Sequence, residues 1–223
     1  MSHSIICLTF DDYDPQGWLD SIPLFDQFHA KATFSFSGPI DDGHLDCMQR
    51  LARAGHSLGL HTLHHANAPE YMAEHGANAY FQDEVLPQLT PCANAGIRPG
   101  TFAFPNNRFN QEAIELLSPY FHHFRAGASV KTGTSNLIPL RDLTPECRIM
   151  RGSGLGEYYH TQTDDVLNAI SQAAANDQCI VFFSHAIRKN ATGVSMPLDL
   201  LEAILQHGQT LGCRFLGFDD LPH

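Results

Sequence analysis

The sequence predicts an α/β fold built on parallel strands. Strand-like runs alternate with helix-like runs from one end of the chain to the other, the pattern of successive βα units. The run 179–183, Cys-Ile-Val-Phe-Phe, is apolar at every position, as expected of a strand covered on both faces. In addition, Asp11-Asp12, the pair His61 and His65, and His185 each follow a strand-like run. In parallel α/β folds the carboxyl ends of the strands share one face, and the ligand site forms there. These residues are therefore expected to converge.

Taken in order, 5–10 is an apolar β-prone run ending in Asp11-Asp12. Residues 18–29 carry apolar side chains at 18, 19, 22, 25 and 28, close to helical spacing. The stretch 32–36 reads as a second strand, 43–54 as a helix ended by Gly55, and 57–60 as a third strand. A long helical segment over 77–95 contains Pro87 and Pro91, which predict a kink or a split. Residues 101–104 form a short strand closed by Pro105, Asn110 caps a helix through Leu117, and 120–126 reads as a strand. One or two short strands are expected within 127–160. A helix follows over 163–175 with Asp164 and Asp165 in its first turn, then the strand 179–183, a helix over 197–211 and a final strand over 214–218.

A chain of 223 residues with 43% hydrophobic and 17% charged residues fits one globular domain, 1–223. The net charge of -11 argues against a nucleic-acid surface. No apolar run approaches the ~20 residues that span a membrane. The start, Met1-Ser2-His3-Ser4, lacks the basic-then-apolar pattern of a secretory leader. The six cysteines are scattered without a CxxC pair, which predicts reduced thiols in a cytoplasmic protein and no zinc–cysteine site. Monomer and homodimer are both compatible with this composition.

The densest chemistry lies in Leu60-His61-Thr62-Leu63-His64-His65. His61 and His65, four apart, can place two ring nitrogens on one side of a turn, with His64 pointing elsewhere. Surface or packed histidines explain this stretch equally well by itself, since the chain has 14. Adding Asp12 gives one carboxylate and two imidazoles with coordination positions left open, a set suited to hydrolysis with a divalent transition metal. Asp11 is then the candidate base and His185 the candidate acid for a leaving amine. The plainer alternatives are a polar turn at Asp11-Asp12 and a strand-end histidine bonded to a carbonyl. Phe218-Asp219-Asp220 repeats Phe10-Asp11-Asp12, and spacing does not distinguish them. Asn190-Ala191-Thr192 fits a glycosylation sequon that a cytoplasmic chain would not use.

Thr9-Phe10-Asp11-Asp12 resembles the TFDD motif of the polysaccharide deacetylases, carbohydrate esterase family four, and His61-Thr62-Leu63-His64-His65 resembles their H-[ST]-x-x-H motif. Ala32–Phe36 is similar to the strand between those motifs, Thr101-Phe102-Ala103-Phe104-Pro105 to the third motif, and Val181-Phe182-Phe183-Ser184-His185 to the strand carrying the fifth-motif histidine. The resemblance runs over nearly the whole chain. It implies an irregular (β/α) barrel and metal-dependent removal of an acyl group, usually acetyl, from an N-acetylated saccharide or related soluble compound. It also implies Asp11 as base, His185 as acid, and Asp12, His61 and His65 as ligands of one divalent metal. Zinc is the first choice, with iron, cobalt, nickel or manganese compatible. Thr62 would orient the site, and the backbone N–H of Asn106, just after Pro105, would hold the oxyanion.

The chain departs from that pattern in three places. Ala103 stands where the third motif has an arginine that pairs with the base; Arg108, Arg125 and Arg151 are candidate substitutes, with Arg125 favoured because it follows a strand-like run. Asn106-Asn107 replaces Tyr-Gly, and no Asp-Trp of the fourth motif is present; the single tryptophan, Trp18, is a packing or rim residue. Two other functions therefore stand beside deacetylation: hydrolysis of a non-sugar amide or cyclic imide, and carbohydrate binding without turnover.

Overall fold

The computed structural model describes residues 4–129 and 133–223; the leader expectation rests partly on residues 1–3, which lie outside the described residues. Strands β1 (Ile5–Asp12), β2 (Thr33–Phe36), β3 (Ser57–Leu60), β4 (Thr101–Ala103) and β5 (His123–Gly127) pair side by side, all parallel. After β6 (Leu137–Pro139) come β7 (Ile149–Gly154), parallel to β5, and β8 (Gln178–Ser184), parallel to β7. β8 also pairs with β1 from Ile5↔Cys179 to Phe10↔Ser184, which closes a seven-strand parallel barrel. The barrel is irregular. β6 lies antiparallel on β8, β9 (Ile187–Arg188) pairs with β10 (Met196–Pro197) outside the barrel sheet, and β11 (Arg214–Phe215) pairs in parallel with the start of β1.

Around the barrel stand α1 (Pro15–Gln27), α2 (Asp42–Arg53), α3 (Ala68–His75), α4 (Ala77–Tyr80), α5 (Leu86–Asn94), α6 (Gln111–Leu117), α7 (Thr163–Ala175) and α8 (Leu198–Thr210). The period-two rule sorts each strand into two faces. Outward residues such as Ile6, Leu8, Phe10, Phe34 and Phe36 join Trp18 and Phe25 of α1 in the main core. Phe10 stacks on Phe34 at 5.2 Å, and Trp18 lies 5.2 Å from both Phe34 and Phe36. Each such side chain contributes roughly 1.5–3 kcal/mol by leaving water.

Alternate residues form a second cluster, with Ile5, Cys7, Cys179 and Val181 packed together. Nearer the mouth the same alternation brings Asp11, Ser35, Gly59 and Thr101 into lateral register. That layer is tight: a Cβ on Gly59 would come within 2.7 Å of Ser35 Oγ and 3.0 Å of the Thr101 carbonyl. The fully apolar run 179–183 is thus a strand buried on both faces, one toward the helices and one toward the barrel axis.

Local chemistry explains most boundaries. Asp41 caps α2 by accepting from the His44 N–H at 3.0 Å, and Asn110 caps α6 by accepting from the Ala113 N–H at 2.9 Å. The expected helix over 77–95 is split by a five-residue π-helical turn, Phe81–Val85, in which the Leu86 N–H bonds to the Phe81 carbonyl. Pro87 lacks the N–H that an α-helix would direct at Asp83, and its ring would crowd that carbonyl, so the wider turn accommodates it. The final strand is shorter than the expected 214–218. After Phe215 the chain leaves the sheet, and Phe218–Asp220 forms a 3-10 turn closed by Asp220 accepting from the Gly217 N–H at 3.0 Å. α3 was not legible in the sequence pattern. No helix among the described residues is long and apolar enough to cross a membrane.

Candidate metal centre and active site

β1 and β3 deliver the first donors. Asp12 ends β1, and His61 follows β3 directly. The Asp12 Oδ1 lies 3.7 Å from His61 Nε2 and 3.9 Å from His65 Nε2, and ligand atoms of all three residues lie within 4.8 Å of one another. His61 is buried, and its Nδ1–H donates to the Ala103 carbonyl at 2.7 Å, which leaves Nε2 as a lone-pair donor toward Asp12 and His65. Burial, reinforced by the nearby Arg125 charge, pushes the His61 ring down to about 3, so it is neutral near pH 7. Two imidazole nitrogens and one carboxylate oxygen, mutually this close, fit a divalent transition metal.

Backbone strain gathers at the same place. Of the eight non-glycine residues with positive φ among the described residues, five are Asp12, Thr62, His65, Asn106 and Asn107. Each such residue costs on the order of 1–3 kcal/mol and persists where the surroundings fix it. Thr62 is buried, its hydroxyl has no hydrogen-bond partner among the described residues, and its carbonyl accepts from the Gly38 N–H at 3.1 Å. Pro105 opens the turn after β4, and Asn106 follows at φ 51, its side-chain Nδ2 donating to Asn67 Oδ1 at 3.0 Å.

Beside the three donors lies a buried ion pair. The Arg125 guanidinium donates to Asp11 Oδ2 and to Asn107 Oδ1, and it lies 4.7 Å from the centre of the Phe183 ring. Asp11 Oδ1 has no hydrogen-bond partner among the described residues. Ala103 and Arg125 are direct register partners on β4 and β5, so the guanidinium comes from one strand over, at the level where Ala103 offers only a methyl. Arg108 instead pairs with Glu70, and Arg151 donates to the Gly127 carbonyl at 3.2 Å. His185 faces the donors from β8: its Nε2 is 3.9 Å from Asp12 Oδ2, its Nδ1–H donates to the Val194 carbonyl at 3.2 Å, and its own carbonyl accepts from the Trp18 indole at 3.0 Å. Trp18 is therefore an interior packing residue.

These groups line a cavity of about 260 Å³, walled also by Tyr158 and Tyr159. Burial, with the Asp11 charge second, pushes the Tyr159 hydroxyl up to about 12, so it remains a neutral donor. Sequence reasoning missed both tyrosines, Asn107 and the Ala103 carbonyl; the aromatic pair in a glycine-rich loop was the one visible signal. Phe218-Asp219-Asp220 lies at the opposite end of the barrel. Asp219 donates its N–H to Ser57 Oγ at the start of β3, and its carboxylate lies where a Cβ on Gly100, just before β4, would stand.

A family profile described as polysaccharide deacetylase matches residues 1–120. No curated protein matches the sequence significantly. Among solved structures, the Xyl-CE4 domain of a multidomain xylanase from the hindgut metagenome of Trinervitermes trinervoides is similar at 19% identity and TM-score 0.63, covering 98% of this chain and 89% of that one. The chitin deacetylase of the fungal pathogen Colletotrichum lindemuthianum is similar at 16% identity and TM-score 0.64, with 97% and 86% covered. A mutant of a CE4 family pseudoenzyme is similar at 13% identity and TM-score 0.65, with 98% and 67% covered. At these identities the likeness is one of fold.

Proposed function

Because the chain belongs to the polysaccharide deacetylase family, we propose that it is a single catalytic domain that hydrolyses an N-acyl group, acetyl first, from an N-acetylated saccharide or a related soluble compound. The observation that carries this reading is the convergence of Asp12, His61 and His65 beside the buried Asp11–Arg125 pair. A divalent metal held by those three residues, zinc first and iron, cobalt, nickel or manganese compatible, would polarise the acyl carbonyl and make water more acidic.

The chain's own residues supply the rest. Arg125 fixes one oxygen of Asp11, and the partner-free Oδ1 takes the proton of the attacking water. The Asn106 N–H, presented after Pro105, offers a dipole to the developing oxyanion. His185, oriented through Val194 and Trp18, hands a proton from Nε2 to the leaving amine. The cavity admits an acyl group and part of one ring, and the exposed ring of Tyr158 at its rim offers a flat face to a sugar.

The test is acetate release by metal-loaded protein from N-acetylated saccharides, set beside simple amides and cyclic imides. Release from a saccharide is expected, lost on chelation, and lowered about 10²–10⁴-fold in Asp11→Asn with metal retained. Full activity in that variant or after chelation overturns the mechanism. Turnover confined to amides or imides selects the second hydrolytic reading, and saccharide binding without release selects a non-catalytic one.

A further inference from the structure

The π-helical turn Phe81–Val85 aims one side chain at the back of the histidine loop. Glu84 is buried, with its side chain 2% exposed, although it lies on a helix outside the barrel. Its two carboxylate oxygens hold a single residue twice: Oε2 accepts from the His64 backbone N–H at 2.8 Å, and Oε1 accepts from the His64 ring Nδ1–H at 2.8 Å. Its own carbonyl accepts from the Leu63 N–H at 3.0 Å. One turn on, Gln88 spreads its amide over the carbonyls of Phe36, Gly38 and Thr62 at 3.1, 2.8 and 3.1 Å.

We propose that Glu84 is a positioning residue that holds the loop Thr62–His65 in its ligating shape, with His64 as the handle it grips and Gln88 as its second anchor. The proposal rests on the reading of Asp12, His61 and His65 as metal ligands. Thr62 at φ 68 and His65 at φ 59 bracket the two residues bonded to Glu84. A β-branched residue at positive φ is disfavoured, so a free loop would relax and swing the His65 ring away from His61. Bonds to residues 63 and 64, from an element outside the loop, oppose that relaxation. A carboxylate suits the task because it offers two acceptor oxygens to two N–H groups on one residue, whereas an amide offers one. The register shift of the π-helical turn sets the rotation at which Glu84 faces the loop, with Gln88 four residues later on the same side. His64 is thus no ligand, yet it is tied to the ligands through the loop.

The experiment compares the unaltered protein with Glu84→Gln and His64→Ala, measuring affinity for zinc or cobalt by chelator competition, the visible spectrum of the cobalt form, and amide hydrogen exchange and thermal unfolding of the metal-free form. His64 is exposed, with its side chain 70% accessible, so its variant folds even if the Glu84 variant does not. The expected result is metal affinity about 10–100-fold weaker in Glu84→Gln and weakened to a lesser degree in His64→Ala. The cobalt spectrum should be altered and exchange at Leu63 and His64 faster, with little change in the metal-free melting temperature of His64→Ala. A merely structural role would lower the melting temperature and leave affinity and spectrum alone. Affinity within twofold of the parent in both variants overturns the proposal by itself. Failure of the unaltered chain to bind either metal overturns the ligand reading, and this proposal with it.

Discussion

The two ends of the barrel carry nearly the same residues and arrange them differently. The mouth has Phe10-Asp11-Asp12 with His61, His65 and His185; the base has Phe218-Asp219-Asp220 with His122, His123 and His223. The base even has the larger cavity, about 790 Å³ against 260 Å³, lined in part by His122, Asp219 and His223. His122 and His223 rings lie 4.6 Å apart there. Yet among the described residues the one group of three donor residues close enough to share an ion is Asp12, His61 and His65. At the mouth, residues held at positive φ turn their side chains toward one another, and an arginine anchors the neighbouring carboxylate. At the base, Asp220 closes a turn and Asp219 fits against Gly100. Convergence and backbone constraint, rather than residue type or cavity size, separate a candidate centre from a look-alike.

The sharpest way to break that contrast is to remove donors at both ends. Asp12→Ala, His61→Ala and His65→Ala should each abolish stoichiometric metal after dialysis, read by elemental analysis, because removing one of three protein donors leaves two. Asp219→Ala and His122→Ala should keep the full metal content. Loss of metal from the base variants with retention at the mouth would reverse the assignment of the two Phe-Asp-Asp repeats.

A smaller effect concerns the ion pair. Arg125 and Asp11 are each 2% exposed at the side chain, so Arg125→Ala leaves a buried carboxylate without its partner. Breaking a buried pair costs about 3–5 kcal/mol, which urea unfolding of the metal-free protein would show. Arg125→Ala combined with Asp11→Asn should recover much of that loss, since no lone charge remains. If the single and double variants are equally destabilised, Arg125 contributes through packing against Phe183 and not through charge.

The strand–helix alternation, the doubly buried strand 179–183 and the convergence of strand-end polar residues were legible because each depends on short-range periodicity plus one rule about parallel strands. The ligand candidates were legible for the same reason: Asp12 and His61 adjoin strand ends, and His65 lies four residues on. What did not show is what depends on lateral register. Arg125 is favoured in the sequence as the partner of Asp11 by its place after a strand-like run, but the alignment that lets it reach Asp11, Ala103 on β4 beside Arg125 on β5, is encoded by no spacing along the chain. Glu84 reads in sequence as a polar helical position, and its burial follows from a π-helical register shift of which Pro87 is the sole local sign. The shortening of the last strand has a similar cause: β8 takes one edge of β1 from Ile5 to Phe10 and β2 takes the other from Thr9 onward, so β11 has only the start of that second edge, where it pairs with Ile5 and Ile6.

The smallest effect returns to the base. His123 is buried, and its ring is pushed down to about 4, chiefly by burial and further by the charges of His223, His122 and Arg148. In the unfolded chain the same ring titrates near 6.5. Above 6.5 neither state holds the proton, and the folded state bears no penalty. As pH falls toward 4 the unfolded state takes up a proton that the folded state refuses, so stability is lost across that window. At 1.36 kcal/mol per unit, the loss reaches roughly 3 kcal/mol. His123→Gln keeps an amide that can donate to the Pro222 carbonyl, which the ring nitrogen contacts at 3.2 Å, and it does not titrate. Urea unfolding of the metal-free protein at pH 7.5 and 4.5 should therefore show a smaller acid loss in this variant than in the parent, by up to that amount. The metal content of the variant at pH 7.5 should match the parent's. An equal acid loss in both proteins would mean that the base histidine is already protonated or freely solvated, and the burial that distinguishes the two ends would need to be redrawn.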